Sequence, residues 1–388
     1  MRTLWITRQD PRPADSGDLI YSLGLLRALA DTGTTEITVL AHQGGAANEA
    51  LPGVEWVFPG PVPPKSPLSL LSSFPSDAYR LGNRSMRDAL QKLPSDRQFD
   101  RVVIDQAANA WALDELPDGI PLLYVSHNHE AIVRTEVAAS NEGSLPFRLA
   151  LRRDASNYAR LECRLCNAAA GISAITPRDA DAYRKEFPQK HYQVLSPGYD
   201  HPAPDAPPEL TAETPRRVVL AGTFEWLAKR RNLEAFLRAA SEPFQTAKIE
   251  FHVVGKADPD YFASLSARFP WATFEANVPS MEPYLKNVRI GLIPEALGGG
   301  FKLKALDYIF RGLPLASIEA ALSGLPLTAE SDCLAADSVD SLARRVTEKI
   351  DDLGFLNRAA KEALDECRDA FRWPDRGREL ADLLHKLA

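Results

Sequence analysis

Strand-like and helix-like segments alternate along almost the whole chain, and this alternation restricts the fold more than any other feature. The predicted strands are Arg2–Thr7, Glu36–Leu40, Arg101–Asp105, Leu122–Ser126, Ala168–Ser173, Arg217–Ala221, Ile249–Gly255, Ala272–Ala276, Arg289–Pro294 and Leu313–Ser317. Helix-like stretches lie between several of them, at Tyr21–Ala30, Asn83–Lys92, Leu233–Ala240, Met281–Lys286 and Leu303–Phe310. Strands that alternate with helices predict βαβ units, and therefore an α/β protein with parallel sheets.

The length of the chain and one proline-rich segment indicate two domains. A chain of 388 residues is too long for one ordinary core. Residues 196–215 contain six prolines and no periodicity, which is typical of a linker. We expect a Rossmann-like domain over 1–198, a linker over 199–215 and a second Rossmann-like domain over 216–373. Open α/β sheets bind ligands at the carboxyl ends of their strands, so we expect the site in a cleft between the domains.

The charge and the cysteine content argue against several classes of protein. A formal net charge of -7 argues against a nucleic-acid partner. Four cysteines in so long a chain form no disulfide framework, and Cys163 and Cys166 are interpreted as helix-packing residues. The first residues do not resemble a signal peptide, and no window approaches the run of about 18 apolar residues that spans a bilayer. We therefore expect a cytoplasmic protein.

A triglycine, Gly298-Gly299-Gly300, separates a predicted strand from a helix and is the strongest candidate for a binding loop. Glycines at a helix start expose backbone N–H groups and the positive end of the helix dipole, which suits a phosphate. Lys304 would add a positive charge to that phosphate. Asp307 lies on the same helix face, and its carboxylate can accept hydrogen bonds from a ribose diol. The alternative is a flexible loop followed by a surface Lys304–Asp307 pair.

Two further clusters of polar residues are candidates for the site. Lys229, Arg230 and Arg231 follow the first strand of the second domain; they form either a solvated patch or the cationic side of a diphosphate site. His127 and His129, in the run SHNHE, are a metal pair, a base, or strand-end histidines held by backbone hydrogen bonds. No further ligands at metal spacing accompany them, and no Asp-x-Asp pair stands directly at the end of a predicted strand. We expect no metal and no cofactor.

The run GGGFKLKALDYIFRGLPLAS resembles the donor-site signature of the family 4 (group 1) glycosyltransferases. Its matching positions are Gly298, Gly300, Lys304, Gly312 and Pro314, and Asp307 stands where the family usually has glutamate. The runs AGTFEWLAKRRNLEAFL, LYVSHNHEAIVR and SSFPSDAY are similar to further segments of that family, in the same order along the chain. Two positions depart from the pattern: Gly299 replaces a frequent glutamate, and Gly17 stands alone where two glycines are usual.

The resemblance implies a GT-B fold, with two Rossmann-like domains whose parallel sheets face each other across the interdomain cleft. The first domain would bind the acceptor and the second a nucleoside-diphosphate sugar, while a C-terminal helix over 374–388 would pack back on the first. Resemblance places His127 and Asn128 at the donor sugar. The expected catalytic residues are His127, Lys304 and Arg231. The other expected donor-binding residues are Gly17, Gly222, Thr223, Lys229, Arg230, Gly298, Gly299, Gly300, Phe301 and Asp307.

The implied reaction is transfer of a sugar from a nucleoside-diphosphate sugar to a hydroxyl of a saccharide or glycolipid acceptor, with retention of configuration. The resemblance to this family also implies a role in the synthesis of bacterial cell-surface polysaccharide. A run of arginines (Arg148, Arg152, Arg153, Arg160 and Arg164) is a solvated helix face or, as the second interpretation, a peripheral contact with the inner face of the membrane. A nucleotide-sugar epimerase or phosphorylase, and a catalytically silent nucleotide-sugar-binding subunit, remain as alternative functions.

Overall fold

The computed structural model describes residues 1–44, 50–140, 143–200 and 203–387. It divides into two compact units, the first formed by residues 1–198 and 372–388 and the second by residues 199–371. Each unit has its own apolar core. Within the described residues, no helix is long and apolar enough to cross a membrane.

The first unit is built on a seven-stranded sheet in which all pairs are parallel, in the order β3-β2-β1-β4-β5-β6-β7. Its strands are β1 (Arg2–Gln9), β2 (Glu36–His42), β3 (Val54–Val57), β4 (Arg101–Asp105), β5 (Leu122–Ser126), β6 (Gly171–Ala174) and β7 (His191–Val194). The central strands are buried and rich in Val, Ile and Leu, as expected for strands that helices cover on both faces.

Seven helices belong to the described part of the first unit. They are α1 (Gly17–Asp31), α2 (Ser76–Leu81), α3 (Arg84–Asp96), α4 (Glu130–Ala139), α5 (Leu145–Ala168), α6 (Pro177–Glu186) and the C-terminal helix, labelled α13 below (Trp373–Lys386). Short 3₁₀ turns occupy Pro67–Leu71 and Ala107–Asp114.

The C-terminal helix α13 packs directly against α1. A Cβ atom on Gly24 of α1 would lie 2.2 Å from the ring of Trp373, and one on Gly377 would lie 2.1 Å from the carbonyl oxygen of Ala28. Only glycine allows backbones to approach so closely. The helix begins at Trp373, one residue before the predicted start, and Arg372 and Trp373 fall in the first unit.

The second unit has a six-stranded parallel sheet in the order β10-β9-β8-β11-β12-β13. Its strands are β8 (Arg217–Thr223), β9 (Glu250–Lys256), β10 (Ala272–Ala276), β11 (Ile290–Ile293), β12 (Leu315–Ile318) and β13 (Leu334–Ala336). Its helices are α7 (Leu227–Thr246), α8 (Pro259–Arg268), α9 (Glu282–Leu285), α10 (Leu303–Phe310), α11 (Val339–Lys349) and α12 (Leu353–Cys367), with a 3₁₀ turn at Glu319–Leu322.

Residues 203–215 of the proline-rich segment are held on the second unit. The amide of Asn357 in α12 exchanges two hydrogen bonds with the backbone of Leu210, at 2.8 and 3.0 Å. Arg368 donates to the carbonyl oxygens of Pro204 and Asp205. These bonds fix the segment to α12, so it is part of the second unit's surface.

The predicted α/β class and the two parallel sheets are confirmed, whereas one strand boundary is wrong. Ala168–Ser173 was predicted as strand, but α5 continues through Ala168 and β6 begins only at Gly171. The short strands β3, β7 and β13 were not predicted, because runs of three or four residues carry little periodicity.

Candidate functional site

In the second unit, the sequence-predicted residues meet where the strand order of the sheet reverses. The neighbours β8 and β11 have their next strands on opposite sides, and such a switch point leaves a crevice at the carboxyl ends of the strands. Gly222 and Thr223 end β8, and Glu295 follows β11 by two residues. The loop over residues 295–302, called the glycine loop below, therefore starts in this crevice.

Tyr308 fixes α10, and with it Lys304, over the end of the sheet. Its ring covers Gly291 of β11, where a Cβ atom would lie 2.5 Å from the ring. Its hydroxyl oxygen accepts the backbone N–H of Ala221 in β8 at 2.8 Å. Because Lys304 lies one helical turn before Tyr308, it is set at the end of β8, and a Cβ atom on Gly222 would lie 3.8 Å from Lys304 Nζ.

The glycine loop has the backbone of an anion-binding turn. Gly298 and Gly300 have φ values of 94° and 73°, a region that other residues rarely adopt. Lys302 Nζ donates to the carbonyl oxygens of Gly298 and Gly299 at 2.9 and 2.6 Å. Within the described chain, no hydrogen bond uses the N–H groups of the three glycines. The carbonyls are thus bound and the N–H groups remain available to a ligand.

Residues of α7 hold the glycine loop in place. Asn232, which is buried, donates to the carbonyl oxygen of Leu297 at 2.8 Å and accepts the N–H of Leu297 at 3.0 Å. Trp226, just before α7, lies beside Gly298, where a Cβ atom would lie 3.4 Å from the indole. The loop is therefore a rigid element that is tied to α7 by two hydrogen bonds.

Lys304 forms an ion pair with Glu295. Glu295 is only 7% exposed, and its Oε1 accepts a short hydrogen bond from Lys304 Nζ. Burial alone would raise the pKa of Glu295, but Lys304, Lys302 and Lys229 hold that pKa below its ordinary value. Among the described residues, no group donates a hydrogen bond to its second oxygen, Oε2.

The three basic residues of α7 occupy its first two turns. Lys229 is near enough to act on Glu295 electrostatically. Arg230 points elsewhere, since its Nε donates to the carbonyl oxygen of Phe224 at 2.8 Å and its guanidinium lies over the ring of Tyr261. Arg231 is half-buried in the same turn. The structure thus brings Lys229, and not Arg230, to the charge cluster of the glycine loop.

Asp307 lies on the next turn of α10 and binds a tyrosine. Its Oδ1 accepts the hydroxyl of Tyr199 at 2.9 Å, and the ring of Tyr199 stacks on Phe310 at 4.5 Å between centroids. Burial and the Asp307 carboxylate raise the pKa of Tyr199 above its ordinary value. Phe301, at the end of the glycine loop, is half-buried and packs against Phe371.

In the first unit, the predicted residues also lie at the switch point of the sheet, where β1 and β4 are neighbours. His127 Nε2 lies 2.7 Å from Oδ1 of Asp105, the last residue of β4. The other oxygen, Oδ2, accepts hydrogen bonds from Thr7 at 2.9 Å and from Trp5 at 3.3 Å. Because the carboxylate only accepts, His127 Nε2 must carry a hydrogen.

Asn128, Gly17 and His129 take different positions around His127. The Asn128 amide donates to Glu130 at 3.1 Å. Gly17 is the exposed first residue of α1, and the next residue, Asp18, interacts electrostatically with His127. His129 points away from this group, since its ring stacks on Tyr183 at 4.3 Å.

Glu162 of α5 organises the start of α4 and was not predicted as functional. This buried carboxylate accepts the backbone N–H groups of Glu130 and Ala131 at 3.1 and 2.7 Å, and the hydroxyls of Tyr124 and Tyr183 at 2.9 and 2.6 Å. Burial raises the pKa of Glu162 above its ordinary value. It thus caps α4 from a neighbouring helix and supports the loop that carries His127.

A polar cavity of about 50 Å³ lies beside this loop. Its charged lining includes Arg8, Asp77, Glu130 and Arg134. Glu130 and Arg134, one helical turn apart on α4, form an ion pair at 2.7 Å. Arg134 also lies 3.8 Å from Asp77, which belongs to the SSFPSDAY run.

Two functional candidates were missed because they are single acidic residues at strand ends. Asp105 ends a predicted strand, and Glu295 follows another directly. The rule that ligands bind at the carboxyl ends of parallel strands would have singled out both.

Asp258 and Asp260 form an Asp-x-Asp pair shortly after β9. This pair was not among the residues considered as metal ligands in the sequence. The carboxylate of Asp258 accepts the N–H of Asp260 at 3.0 Å and caps α8. Among the described residues, no three His, Cys, Asp or Glu side chains form a group that could hold a metal ion.

Comparison with known proteins shows which family and which solved structures this chain is similar to. Residues 215–352 match the family model described as "Glycosyl transferases group 1". The chain is similar in structure to sucrose-phosphate synthase from Thermosynechococcus elongatus, with a TM-score of 0.74, 17% identity and coverage of 100% of this chain and 99% of that chain. A search of curated proteins finds no match.

Two further solved structures are similar over the whole length. Anabaena HepE, solved with UDP and glucose, has a TM-score of 0.66 at 13% identity, covering 100% of both chains. WaaG, a glycosyltransferase involved in lipopolysaccharide biosynthesis, has a TM-score of 0.66 at 16% identity, covering 99% of this chain and 100% of that chain.

The two parallel-sheet units have the GT-B fold of these solved structures. The family match is more specific and covers most of the second unit: residues 215–352 form a group 1 glycosyltransferase domain. The resemblance inferred from the donor-site signature is thereby confirmed.

Proposed function

We propose that the protein transfers a sugar from a nucleoside-diphosphate sugar to a hydroxyl of a saccharide or lipid-linked acceptor, with retention of configuration and without a metal or cofactor. The observation that carries the proposal is the glycine loop. Among the described residues its three glycine N–H groups make no hydrogen bond, and it leads into the helix that carries Lys304, at the switch point of the second sheet. This arrangement matches the needs of a diphosphate.

The charges around the loop favour an anion. Three lysines, Lys304, Lys302 and Lys229, act electrostatically on the carboxylate of Glu295. When the bond between sugar and diphosphate breaks, negative charge grows on the β-phosphate. The loop N–H groups and Lys304 would stabilise that charge in a site that needs no reorganisation. In a retaining transfer, a phosphate oxygen of the donor takes the proton of the attacking hydroxyl.

Asp307 is proposed to bind the ribose, since its carboxylate lies on the turn of α10 after Lys304. His127 is proposed to contact the transferred sugar, with Asp105 as the residue that orients its ring. The UDP and glucose bound in the HepE structure support a sugar nucleotide as the donor class. The involvement of WaaG in lipopolysaccharide biosynthesis supports a bacterial cell-surface product.

The test is a screen of uridine, guanosine and adenosine diphosphate sugars, with and without a panel of saccharide and glycolipid acceptors. The proposal predicts release of nucleoside diphosphate only when an acceptor is present, and activity that survives a chelator. The anomeric proton of the product, observed by NMR, reports retention. Isomerisation of the donor without acceptor would indicate an epimerase. Tight nucleotide binding without turnover on any pair would indicate a silent subunit.

We further propose that the first unit contacts the inner face of an anionic membrane. Large apolar side chains are exposed at two adjacent places, the 3₁₀ turn (Leu68, Leu70 and Leu71) and the start of α5 (Leu145, Phe147 and Leu149). Hydrogen bonds join the two places, because Arg153 and Asn157 of α5 donate to the carbonyl oxygen of Ser72. Exposed Arg152 and Arg153 lie on the same helix.

Apolar residues together with arginines fit a lipid surface of negative charge. Cosedimentation with phosphatidylglycerol vesicles tests this surface, with phosphatidylcholine vesicles as the neutral comparison. Binding to the anionic vesicles should fall strongly in Leu71→Ser/Leu145→Ser and rise as salt is lowered. Binding that is unchanged by these substitutions would contradict the assignment.

A further inference from the structure

Glu295 stands in the phosphate-binding crevice with one oxygen paired and the other without a donor. Its side chain is more than nine-tenths buried, and its Oε1 binds the ammonium group of Lys304. Its Oε2 is buried and, among the described residues, has no hydrogen-bond partner. A buried carboxylate oxygen that accepts no hydrogen bond destabilises the folded protein. The presence of Glu295 at this position therefore needs an explanation.

The surroundings make Glu295 an anion fixed inside an anion-binding site. It follows β11 by two residues, so its backbone lies close to the end of the sheet. The charged groups that face it are Lys304 on α10, Lys302 in the glycine loop and Lys229 on α7, and Tyr308 of α10 also interacts with it. Lys302 already binds two carbonyl oxygens of the loop, so Lys304 is the principal partner of the carboxylate.

A diphosphate that binds the glycine loop therefore meets a lysine that already has a counter-ion. Binding must weaken the contact between Lys304 and Glu295, and it also brings two anions close together. Both effects oppose binding, because like charges in a partly dry site repel more strongly than in water. The same effects favour dissociation of the product.

We propose that Glu295 is the internal competitor of the nucleoside diphosphate for Lys304. In the empty protein it holds the ammonium group at the end of β8, and in the product complex it weakens binding and speeds release. The inference rests on the proposed function only in assuming that a nucleoside diphosphate binds the glycine loop.

Glu295→Gln is the informative substitution, because an amide oxygen still accepts a hydrogen bond from Lys304 but carries no charge. We expect it to tighten binding of the matching nucleoside diphosphate by about tenfold, with a correspondingly slower dissociation. Affinities for uridine, guanosine and adenosine diphosphate are measured by calorimetry, and release by displacement with excess nucleotide. Glu295→Asp, which keeps the charge, should bind as weakly as the wild type.

Glu348→Gln is the matched control, since it removes an exposed negative charge from α11 of the same unit. It should leave the affinity unchanged. Thermal unfolding of each variant checks the fold. If Glu295→Gln proves unstable, Glu295→Asn provides a second neutral side chain for the same measurement.

A double-mutant cycle with Lys304→Ala separates competition from simple repulsion. Competition predicts that Glu295→Gln tightens binding several times more in the presence of Lys304 than in its absence. Equal tightening in both backgrounds would overturn competition, as would unchanged or weaker binding in a folded Glu295→Gln. If the wild type binds none of the three nucleotides, the proposed function fails together with this inference; wild-type binding without tightening overturns the role of Glu295 alone.

Discussion

Nε2 of His127 lies 2.7 Å from Oδ1 of Asp105, and Asp105 is fully buried. The ring of His127 is further flanked by Tyr21, edge to face at 4.9 Å, and by the amide of Gln106, 3.3 Å from Nδ1. The imidazole therefore has a fixed orientation and a fixed site for one hydrogen. Such pairing is how proteins set the tautomer of a functional histidine.

Asparagine has nearly the same size as aspartate, so Asp105→Asn leaves the space beside His127 filled. The substitution should nevertheless impair the function of His127. We expect kcat to fall by about 10- to 100-fold, the range for losing a carboxylate that orients a functional histidine. Steady-state rates measure this effect.

Asp118→Asn is the control for Asp105→Asn, because Asp118 is an exposed aspartate of the same unit. A loss of thermal stability with an unchanged kcat would mean that Asp105 serves the fold alone.

Asp307→Asn tests the proposed ribose contact. The substitution keeps the size but removes the charge and one acceptor, so it should weaken binding of a nucleoside diphosphate more than of its 2′,3′-dideoxy counterpart. A hydrogen bond to a charged group contributes about 1.5–3 kcal/mol, which corresponds to roughly 10- to 150-fold in affinity. Calorimetry with both ligands gives the two ratios.

Tyr199→Phe is the companion variant for Asp307, since it removes the hydroxyl that donates to Asp307 at 2.9 Å and keeps the ring on Phe310. It should change both affinities by similar factors. Equal losses for the two ligands in Asp307→Asn would exclude the ribose contact and leave the glycine loop unaffected.

The lowered pKa of Glu295 predicts how the free energy of unfolding depends on pH. Its folded pKa is lowered from 4.5 by the three lysines, although burial opposes them. The ionised carboxylate therefore stabilises the folded state above the unfolded pKa, and this contribution disappears as the pH falls through the lower folded pKa.

Urea unfolding between about pH 6 and pH 3.5 measures this contribution, in the range where a glutamate titrates. The wild type should lose its advantage over Glu295→Gln below about pH 4.5, and Glu348→Gln should track the wild type throughout. A constant difference between wild type and Glu295→Gln would show that the charge of Glu295 does not contribute.

The sequence predicts the scaffold well because βαβ units follow from local patterns. The signature of triglycine, Lys304 and Asp307 predicts a loop and a helix start, and the structure contains both. The partners of these residues follow from the strand order, which no local pattern encodes. The sequence offered a ligand phosphate or a surface pair with Asp307 as partners of Lys304, whereas the structure pairs Lys304 with Glu295, which lies just beyond β11.

Contacts between residues that are far apart in the sequence were the hardest to predict. Glu162 was not singled out from the sequence, yet it caps α4, which begins about 30 residues earlier in the chain. Cys163, read as a packing residue, is exposed, whereas Cys166 is buried as expected. A helical pattern predicts which residues share a face but not which neighbour meets that face.

The most direct test of the whole account is the affinity of nucleoside diphosphates for Lys304→Ala. Removing Lys304 from the glycine loop should weaken binding by about tenfold or more, the effect of one charged hydrogen bond to phosphate. Lys361→Ala, which removes an exposed lysine of α12 paired with Asp365, is the matched control and should bind as the wild type does. The charge-balanced variant Lys304→Ala/Glu295→Gln shows whether any loss comes from an unpaired Glu295.

Calorimetric titration of these four proteins with uridine, guanosine and adenosine diphosphate decides the matter. The account predicts that both variants without Lys304 bind the preferred nucleotide markedly more weakly than the wild type and the Lys361 control. Equal affinity in all four folded proteins would contradict it, because the diphosphate would then bind away from Lys304.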